Sequence, residues 1–294
     1  MPIKVAVCDW NGSLVEYRDE KPVLEYLALG LLTRSLPFFA VKKLLKNKPE
    51  QLEMAEEIHR TLGFGLRFHP LVARRLAQAK EELETLYERG EDSKDSDFAR
   101  EMLRIYNERV IRGVPMDVVD DLINTFASNR GIKQLNYDII FAHWNARNSG
   151  WIKRSGILST GYKGGIKAVL FCRGHSHHFD FIGANDMAQD ERGRATGIRF
   201  GIWDDKGYHF RRFFEDGYPL EIATPDECVY IGDGPGDEQC FERAGYRVLS
   251  QYADPEFRKH FEDKYCRAQP TTALILDPEG RNNRAELEEF LTKA

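Results

Sequence analysis

Residues 3–13 read IKVAVCDWNGS, and this short stretch near the start of the chain decides the fold. Residues 3–8 form an apolar run rich in β-branched side chains and interrupted by a single lysine, which is typical of a strand buried in a sheet. Asp9 closes the run, and the turn-forming pair Asn11-Gly12 follows it. The sequence therefore predicts that the chain opens with a buried strand that ends in an acidic residue.

The rest of the chain shows two kinds of pattern. From about residue 21 to residue 150 the apolar residues recur at the three- and four-residue steps of a helix, most clearly over residues 72–86, and one of the expected helices spans residues 132–146. After Gly150 strand and helix patterns alternate, which favours an α/β fold with a parallel sheet between helices. The first strand needs partners, and comparable strands occur only after Gly150. We therefore expect a Rossmann-like α/β core domain of residues 1–20 and 151–294, with residues 21–150 as an all-helical insertion.

Chemically active side chains follow three of the predicted strands. Asp9 ends the first, Ser159-Thr160-Gly161 follow the second, and residues 232–237 read GDGPGD after a later one. Functional groups in open α/β sheets collect outside the carboxyl ends of the strands, so Asp9, Asp233 and Asp237 are expected to meet there. Three adjacent carboxylates are costly unless a cation neutralises them, and hard oxygen ligands favour Mg²⁺. With a hydroxyl and a lysine opposite, such a site suits a phosphoryl group.

These strand-end motifs resemble those of the haloacid dehalogenase-like (HAD) superfamily of phosphohydrolases. The first HAD motif, D-x-D-G-[ST], is similar to residues 9–13, with Asn11 in place of the second aspartate. The second motif, a Ser or Thr after an apolar strand, fits Ser159. The fourth motif, G-D-x-x-x-D, is matched in full by residues 232–237.

The remaining HAD motif is a lysine upstream of the fourth. Lys206 fits it, because no other lysine lies between Lys167 and Asp233. Within the superfamily, residues 182–186 (IGAND) and the turn that follows them resemble the phosphoserine-phosphatase-like branch. The resemblance also implies that the helical insertion is a cap domain.

The resemblance implies a role for each strand-end residue. Asp9 is expected to be the nucleophile that forms an aspartyl-phosphate, while Ser159 and Lys206 grip the phosphoryl oxygens. The residues expected to hold Mg²⁺ are Asp9, Asp233 with help from Asp237, and Asn11 through its backbone carbonyl.

Other polar residues are candidates for contacts with the substrate. Thr160 competes with Ser159 for the role in the second motif, and Gly161 belongs to the same turn. Glu16 and Arg18 follow the first strand, where they either touch a leaving group or form plain linker surface. The specificity of the enzyme is expected to lie in this linker and in the cap.

The leading interpretation is a Mg²⁺-dependent phosphatase that hydrolyses a small phosphate monoester. In the family the second aspartate of the first motif acts as general acid and base, which the amide of Asn11 cannot do. One alternative is therefore a catalytically weak protein that binds a phosphorylated ligand. Another is a HAD hydrolase of different chemistry, such as a dehalogenase. Asp233 and Asp237 argue against the dehalogenase, because halide displacement needs no Mg²⁺ pair.

Composition excludes other classes of protein. The chain has 294 residues and 42 Lys+Arg against 47 Asp+Glu, a net charge of −5, which is not that of a nucleic-acid polycation. The most apolar stretch, residues 26–41, is broken by polar residues and is too short for a membrane span. The five cysteines are scattered and never spaced as C-x-x-C, which favours reduced thiols in a cytoplasmic protein. We expect a small phosphorylated metabolite as partner and no nucleic acid; the oligomeric state is not indicated.

Two further stretches invite a functional interpretation. Residues 174–178 read GHSHH and resemble a metal-binding tract, but few other ligand types lie nearby, so we expect a solvated loop. Residues 24–46 combine an apolar segment with several lysines. That segment either touches a membrane surface or a lipid-like substrate, or packs between cap and core, and packing is the favoured reading.

Overall fold

The computed structural model describes residues 2–17, 21–62, 70–89, 101–102, 104–199, 201–202 and 205–293. The chain divides into two compact units. The first unit consists of Met1–Glu20, Arg130–Asp186 and Phe200–Ala294, and the second of Lys21–Asn129 and Met187–Arg199.

A seven-stranded sheet organises the chain, in the order β4-β3-β2-β1-β5-β6-β7. The strands are β1 (Val5–Cys8), β2 (Arg154–Tyr162), β3 (Phe181–Gln189), β4 (Ala195–Arg199), β5 (Cys228–Gly232), β6 (Tyr246–Leu249) and β7 (Ala273–Ile275). β1 lies at the centre and pairs in parallel with β2 and β5. Its four residues are all buried, as expected of a strand covered on both faces. The predicted α/β fold with a parallel sheet is confirmed.

Helices make up most of the remaining structure. Within the described residues, the α-helices with defined bounds are α1 (Lys21–Ser35), α2 (Phe38–Leu44), α3 (Pro49–Leu62), α4 (Pro70–Arg89), α5 (Met116–Asn129), α6 (Tyr137–Asn148), α7 (Lys163–Cys172), α8 (Lys206–Arg212), α9 (Glu238–Arg243), α10 (Pro255–Phe261) and α11 (Asn283–Lys293). Two π-helical segments span Tyr106–Ile111 and Glu262–Cys266.

The second unit contains α1 to α5 and the hairpin end formed by the last residues of β3 and by β4. The apolar residues of α1, including Leu24, Leu27 and Leu31, are buried. The side chain of Asn107 accepts a 2.8 Å hydrogen bond from the backbone N–H of Ile198, which ties β4 to the π-helical segment. The α1 part of the apolar stretch within residues 24–46 is thus buried, whereas Phe39 and Leu44 of α2 are exposed. None of the described helices is long and apolar enough to cross a membrane.

Residues 130–150 differ from the predicted arrangement. We expected one helix from 132 to 146 inside the helical insertion, but a 3₁₀ turn (Gly131–Gln134) precedes α6, and both belong to the first unit. The break arises because the chain pairs with the segment after β1: Asn136 N–H donates to the Leu14 carbonyl over 2.8 Å. The Asn136 side chain then accepts from the N–H of Ile139 and caps α6.

Helix α6 belongs to the first unit because its side chains contact other parts of that unit. The amide of Asn145 donates a 2.6 Å hydrogen bond to Glu288 of α11. Arg147 forms a two-pronged ion pair with Asp180, each N–H to oxygen distance being 2.8 Å. These long-range contacts are invisible to a local helical pattern.

Candidate active site

The register of the central strands brings the three predicted loops to one edge of the sheet. Cys8, the last residue of β1, lies opposite Ile157 of β2 and Ile231 of β5. Asp9 follows Cys8 directly, and its N–H donates a 2.8 Å hydrogen bond to the Ile231 carbonyl. Ser159 comes two residues after Ile157, and Asp233 two residues after Ile231. The strand-end residues therefore gather at the carboxyl edge, as parallel pairing requires.

Three carboxylates form a compact acidic cluster at this edge. Asp9, Asp233 and Asp237 each place a carboxylate oxygen within 4.8 Å of the others. Asp9 and Asp237 are buried. Burial of like charges at this spacing is unfavourable unless positive charge compensates them.

Glycines make room for two of these carboxylates. Gly12 has a φ of +68°, in the left-handed region, and a Cβ built there would collide with the Asp233 carboxylate. A Cβ at Gly232 would collide in the same way with the Asp237 carboxylate. The cluster therefore depends on residues without side chains at both positions.

Lys206 supplies positive charge from within the protein. It is the first residue of α8 and is buried, with its Nζ 2.8 Å from Asp9 Oδ1 and 2.5 Å from Asp237 Oδ1. Burial opposes the charge of this ammonium, but the carboxylates of Asp237 and Asp9 outweigh burial and raise the pKa of Lys206. Lys206 is therefore a cation at neutral pH.

Asp9 lies in an environment with opposing influences. Burial raises the pKa of Asp9 to about 7, with a further increase from Asp237, while Lys206 and the N–H of Trp10 favour the ionised form. The Trp10 N–H donates a 2.7 Å hydrogen bond to Asp9 Oδ1. An additional cation beside Asp9 favours the carboxylate further.

Both oxygens of Asp237 are engaged by the protein. Oδ1 accepts from Lys206 and, over 2.7 Å, from the Tyr230 hydroxyl. Oδ2 accepts from the backbone N–H of Asp233 over 2.9 Å. Asp237 therefore holds Lys206 and the Asp233 loop in place. Sequence reasoning missed Tyr230, because an aromatic residue in a buried strand carries no signal of a polar role.

The carboxyl end of β2 has an irregular backbone at residues 159–161, which we call the Ser159 turn. The pairing of β2 with β3 shifts register between Leu158 and Tyr162, so β2 runs through the predicted turn residues instead of ending before them. Ser159 is fully buried, and its Oγ accepts a 2.9 Å hydrogen bond from the N–H of Gly161. The carbonyl of Thr160 accepts a 2.7 Å hydrogen bond from the side chain of Asn185.

The segment after β1 buries Asn11 but leaves Glu16 exposed. Asn11 is buried, and the turn closes with a 2.9 Å hydrogen bond from the N–H of Gly12 to the Tyr17 carbonyl. Glu16 is exposed and acts on Tyr252, whose pKa rises chiefly through burial and also through this carboxylate. Arg18 lies outside the described residues.

The histidine tract is less exposed than we predicted. Residues Ser176–His178 form a 3₁₀ turn, and His175 and His178 are buried while His177 is exposed. The ring of His175 packs against Phe141, and the rings of His175 and His178 lie 4.9 Å apart. The predicted solvated loop therefore fits Gly174, Ser176 and His177 but not His175 and His178, whose rings pack in an aromatic cluster next to α6.

The acidic cluster has the chemistry of a Mg²⁺ site. Its donors are carboxylate oxygens, the ligand type that Mg²⁺ prefers, and Gly12 leaves open the space beside Asp233 that a Cβ would fill. The residues present therefore fit the ion that the sequence predicted.

Comparison with known proteins identifies the fold. No family model and no curated protein matches the sequence. A protein of unknown function from Bordetella pertussis Tohama I has a TM-score of 0.55 at 14% identity, covering 94% of this chain and 99% of that chain. A HAD family hydrolase from Salmonella enterica subsp. enterica serovar Typhi has a TM-score of 0.51 at 15% identity, covering 100% and 72%.

A phosphoserine phosphatase with bound substrate is also similar, with a TM-score of 0.48 at 13% identity, covering 88% of this chain and 90% of that chain. Identities of this size show the fold alone, so the chemistry must be argued from the residues of the site. The sheet order, the strand-end motifs and the similarity to solved structures together show that this chain has the fold of the haloacid dehalogenase-like hydrolases.

Proposed function

We propose that this chain is a Mg²⁺-dependent phosphatase that hydrolyses a small phosphate monoester through an aspartyl-phosphate at Asp9. The observation that carries the proposal is the buried contact of Lys206 with both Asp9 and Asp237, at 2.8 Å and 2.5 Å. A buried carboxylate next to a fixed ammonium suits attack on an anionic phosphoryl group, whose oxygens need positive partners.

The metal belongs to this proposal through the acidic cluster. Asp9, Asp233 and the backbone carbonyl of Asn11 would hold Mg²⁺, whose charge neutralises the phosphoryl oxygens and leaves phosphorus open to attack. Both oxygens of Asp237 are occupied by Lys206, Tyr230 and backbone N–H groups, so we assign it the orientation of Asp233 and Lys206.

The protein's own groups carry the steps. An Oδ of Asp9 attacks phosphorus, the new O–P bond forms, and the bond from phosphorus to the ester oxygen breaks. Lys206 and the Ser159 turn hold the phosphoryl oxygens during this transfer. The departing oxygen takes up a proton from solvent. A water oxygen then attacks phosphorus and the bond from phosphorus to the Asp9 oxygen breaks, which releases inorganic phosphate and restores the Asp9 carboxylate. The amide of Asn11 is too weak an acid to protonate the leaving group, so we expect slow turnover of alkyl esters.

We assign the helical unit the role of the cap, on the strength of the sequence resemblance. A cap that closes during catalysis excludes water and bulky esters. We therefore expect small phosphate monoesters, and phosphoserine-like metabolites among them, to be preferred. Equal rates on phosphoproteins and on small monoesters would contradict this role.

Asn11 favours one second candidate, a protein that binds a phosphorylated ligand without turnover. Such a protein keeps the cluster of Asp9, Asp233 and Lys206 but lacks the acid and base of the first motif. A dehalogenase remains a weaker alternative, since the Asp233 and Asp237 pair serves no purpose in halide displacement.

A panel of phosphate monoesters tested with Mg²⁺ and with excess EDTA separates these functions. We expect Mg²⁺-dependent release of phosphate, and loss of that release in Asp9→Asn. Asp216→Asn, which changes an exposed aspartate, is the matched control and should leave the rate unchanged. Binding of a phosphorylated compound without phosphate release would support the binding protein. Wild-type activity in Asp9→Asn would remove Asp9 as the nucleophile.

A further inference from the structure

The side chain of Asn185 uses its full hydrogen-bonding capacity at this edge of the sheet. It lies in β3 and is 2% exposed. Its Nδ2 donates to the Thr160 carbonyl over 2.7 Å and to the Ile202 carbonyl over 2.9 Å. Its Oδ1 accepts from the N–H groups of Gly201 and Ile202 over 2.8 Å and 2.9 Å. A carboxamide has two N–H donors and two lone pairs, and all four are used.

These four bonds join two segments that carry site residues. Thr160 belongs to the turn that follows Leu158 and contains Ser159, and Ile202 lies four residues before Lys206. Ile202 is buried, so its N–H and carbonyl cannot turn to water if the side chain of Asn185 is lost. A single buried amide therefore satisfies the N–H groups of Gly201 and Ile202 and the carbonyls of Thr160 and Ile202.

We propose that Asn185 is a positioning residue that fixes Gly201 and Ile202 to the Ser159 turn and thereby sets the place of the Lys206 ammonium beside Asp9. This inference rests on the proposed phosphatase function for its effect on turnover, but its structural content does not. Asn185 acts through backbone groups of Thr160, Gly201 and Ile202, and it is not a catalytic residue.

The side chain chemistry makes the role specific to asparagine. Aspartate has the same shape and keeps both acceptor bonds, but it loses both donors and places a carboxylate against the carbonyls of Thr160 and Ile202. Glutamine keeps the donors and acceptors but is one methylene too long for a buried site. We therefore expect Asn185→Asp to release the Lys206 segment.

Acylation of lysines followed by mass spectrometry measures this release directly. Lys206 is 5% exposed and paired, so in the wild type it should react slowly relative to Lys167, an exposed lysine of α7. In Asn185→Asp we expect the ratio of the Lys206 rate to the Lys167 rate to rise at least fivefold. We also expect kcat on a phosphate ester to fall on the order of tenfold with little change in KM, because misplaced groups lower the rate of the chemical step.

Asn283 provides a matched control. It is 1% exposed, and its amide donates to the Asp277 carbonyl and to Gln251 while accepting from the Asp277 N–H. Asn283→Asp also loses two buried donors, so it should lower the melting temperature to a similar extent. It should leave the Lys206 acylation ratio at the wild-type value.

An unchanged acylation ratio in Asn185→Asp, or an equal rise in Asn283→Asp, overturns the inference whatever happens to activity. Asn185→Ser, measured at a temperature where the protein is folded, replaces Asn185→Asp if the latter fails to fold, and the same criterion applies. A wild-type protein without phosphatase activity would contradict the proposed function, and the acylation ratio would still decide the role of Asn185.

Discussion

The Tyr230 hydroxyl donates a 2.7 Å hydrogen bond to Asp237 Oδ1, the same oxygen that receives Lys206. Tyr230 lies in β5, and its ring is 5.9 Å from the Lys206 ammonium. Burial raises the pKa of Tyr230 well above its usual value, and Asp237 adds to the effect, so the phenol stays protonated as a donor. Tyr230 thus helps to fix the Asp237 carboxylate that contacts Lys206.

Tyr230→Phe should remove this hydrogen bond while keeping the aromatic ring in the core. The hydrogen bond to a charged group contributes about 1.5–3 kcal/mol, so we expect the free energy of unfolding to fall by about 2 kcal/mol. Turnover should fall severalfold, because Lys206 is then held by a less restrained carboxylate. Urea unfolding and steady-state kinetics measure the two effects.

Tyr26→Phe is the control for that experiment. It removes a buried tyrosine hydroxyl that donates to Glu57 over 3.2 Å in the helical unit. It should cost some stability and leave turnover unchanged. Equal loss of turnover in both variants would show that Tyr230 acts only through stability.

Gly12→Ala tests the space required by the acidic cluster. The new Cβ collides with the Asp233 carboxylate and also imposes an unfavourable φ of +68° on a residue with a side chain. We expect Mg²⁺ to bind at least tenfold more weakly, as measured by titration calorimetry. Gly234→Ala is the control, since a Cβ at Gly234 meets no atom of the described residues within 4 Å. Equal Mg²⁺ affinities in the two variants would contradict the assigned metal site.

The strand-end residues could be predicted because each follows a short buried run with its own composition. Val5–Cys8 and Cys228–Gly232 are apolar without alternation, and the acidic residues that close them stand out. Parallel pairing then brings Asp9 and Asp233 together without further information. Local sequence was sufficient for this part of the site.

The supporting residues could not be predicted, because their partners are distant in sequence. Tyr230 reads as one more core aromatic until Asp237 is placed against its hydroxyl. Asn185 appears in the sequence as part of a strand and turn, and its four bonds depend on the path of residues 201–202. The pairing of Asn136 with Leu14 spans more than a hundred residues and breaks a helix that the local pattern supports.

One missed element did carry a local signal. α10 begins after Asp254-Pro255, an N-cap residue followed by a proline at the first helical position, and the Asp254 side chain accepts from the Phe257 N–H over 2.8 Å. Phe257 and Phe261 are four residues apart and both are buried. A capping motif with apolar residues at this spacing predicts a short helix.

His143 should make the stability of the protein fall at acid pH. Its ring is fully buried in α6, and neither ring nitrogen has a hydrogen-bond partner among the described residues. Burial, together with Arg147 and His178, lowers the pKa of His143 from 6.5 to about 3. The folded protein therefore keeps this ring neutral while the unfolded chain binds a proton below pH 6.5. The contribution of the neutral His143 ring to the free energy of unfolding is complete above pH 6.5 and is lost as the pH falls toward 3.

His143→Leu should reduce this decrease in the free energy of unfolding at acid pH. At pH 5 the linkage amounts to ~2 kcal/mol for one such group, so the loss of stability between pH 7 and pH 5 should shrink by about that amount. His177→Gln, which changes an exposed ring of the neighbouring turn, should show the same pH dependence of stability as the wild type. An identical pH dependence in the wild type and in His143→Leu would show that other groups govern acid unfolding. Chemical denaturation at each pH is the measurement.

Asn11→Asp tests the residue that departs most from the superfamily pattern. General acid–base catalysis contributes ~10²- to 10⁴-fold, so an enzyme with Asn11 should favour esters whose leaving groups depart without a proton, and its phospho-enzyme should persist. Aspartate at this position should raise turnover of alkyl phosphates far more than turnover of p-nitrophenyl phosphate.

The new carboxylate would be buried two residues after Asp9, so Asn11→Asp should be less stable than the wild type in EDTA and should regain stability in Mg²⁺ if position 11 adjoins the metal site. Thermal unfolding in the two conditions checks this independently of activity. The metal-dependent stability can change as expected while alkyl-ester turnover stays the same or falls. That result would mean that position 11 adjoins the metal site. It would also mean that a different group already supplies the proton, or that the protein is not a general phosphatase. In the latter case tight binding of a phosphorylated compound without turnover becomes the better account of the site, because Lys206 and the acidic cluster would still recognise the phosphoryl group.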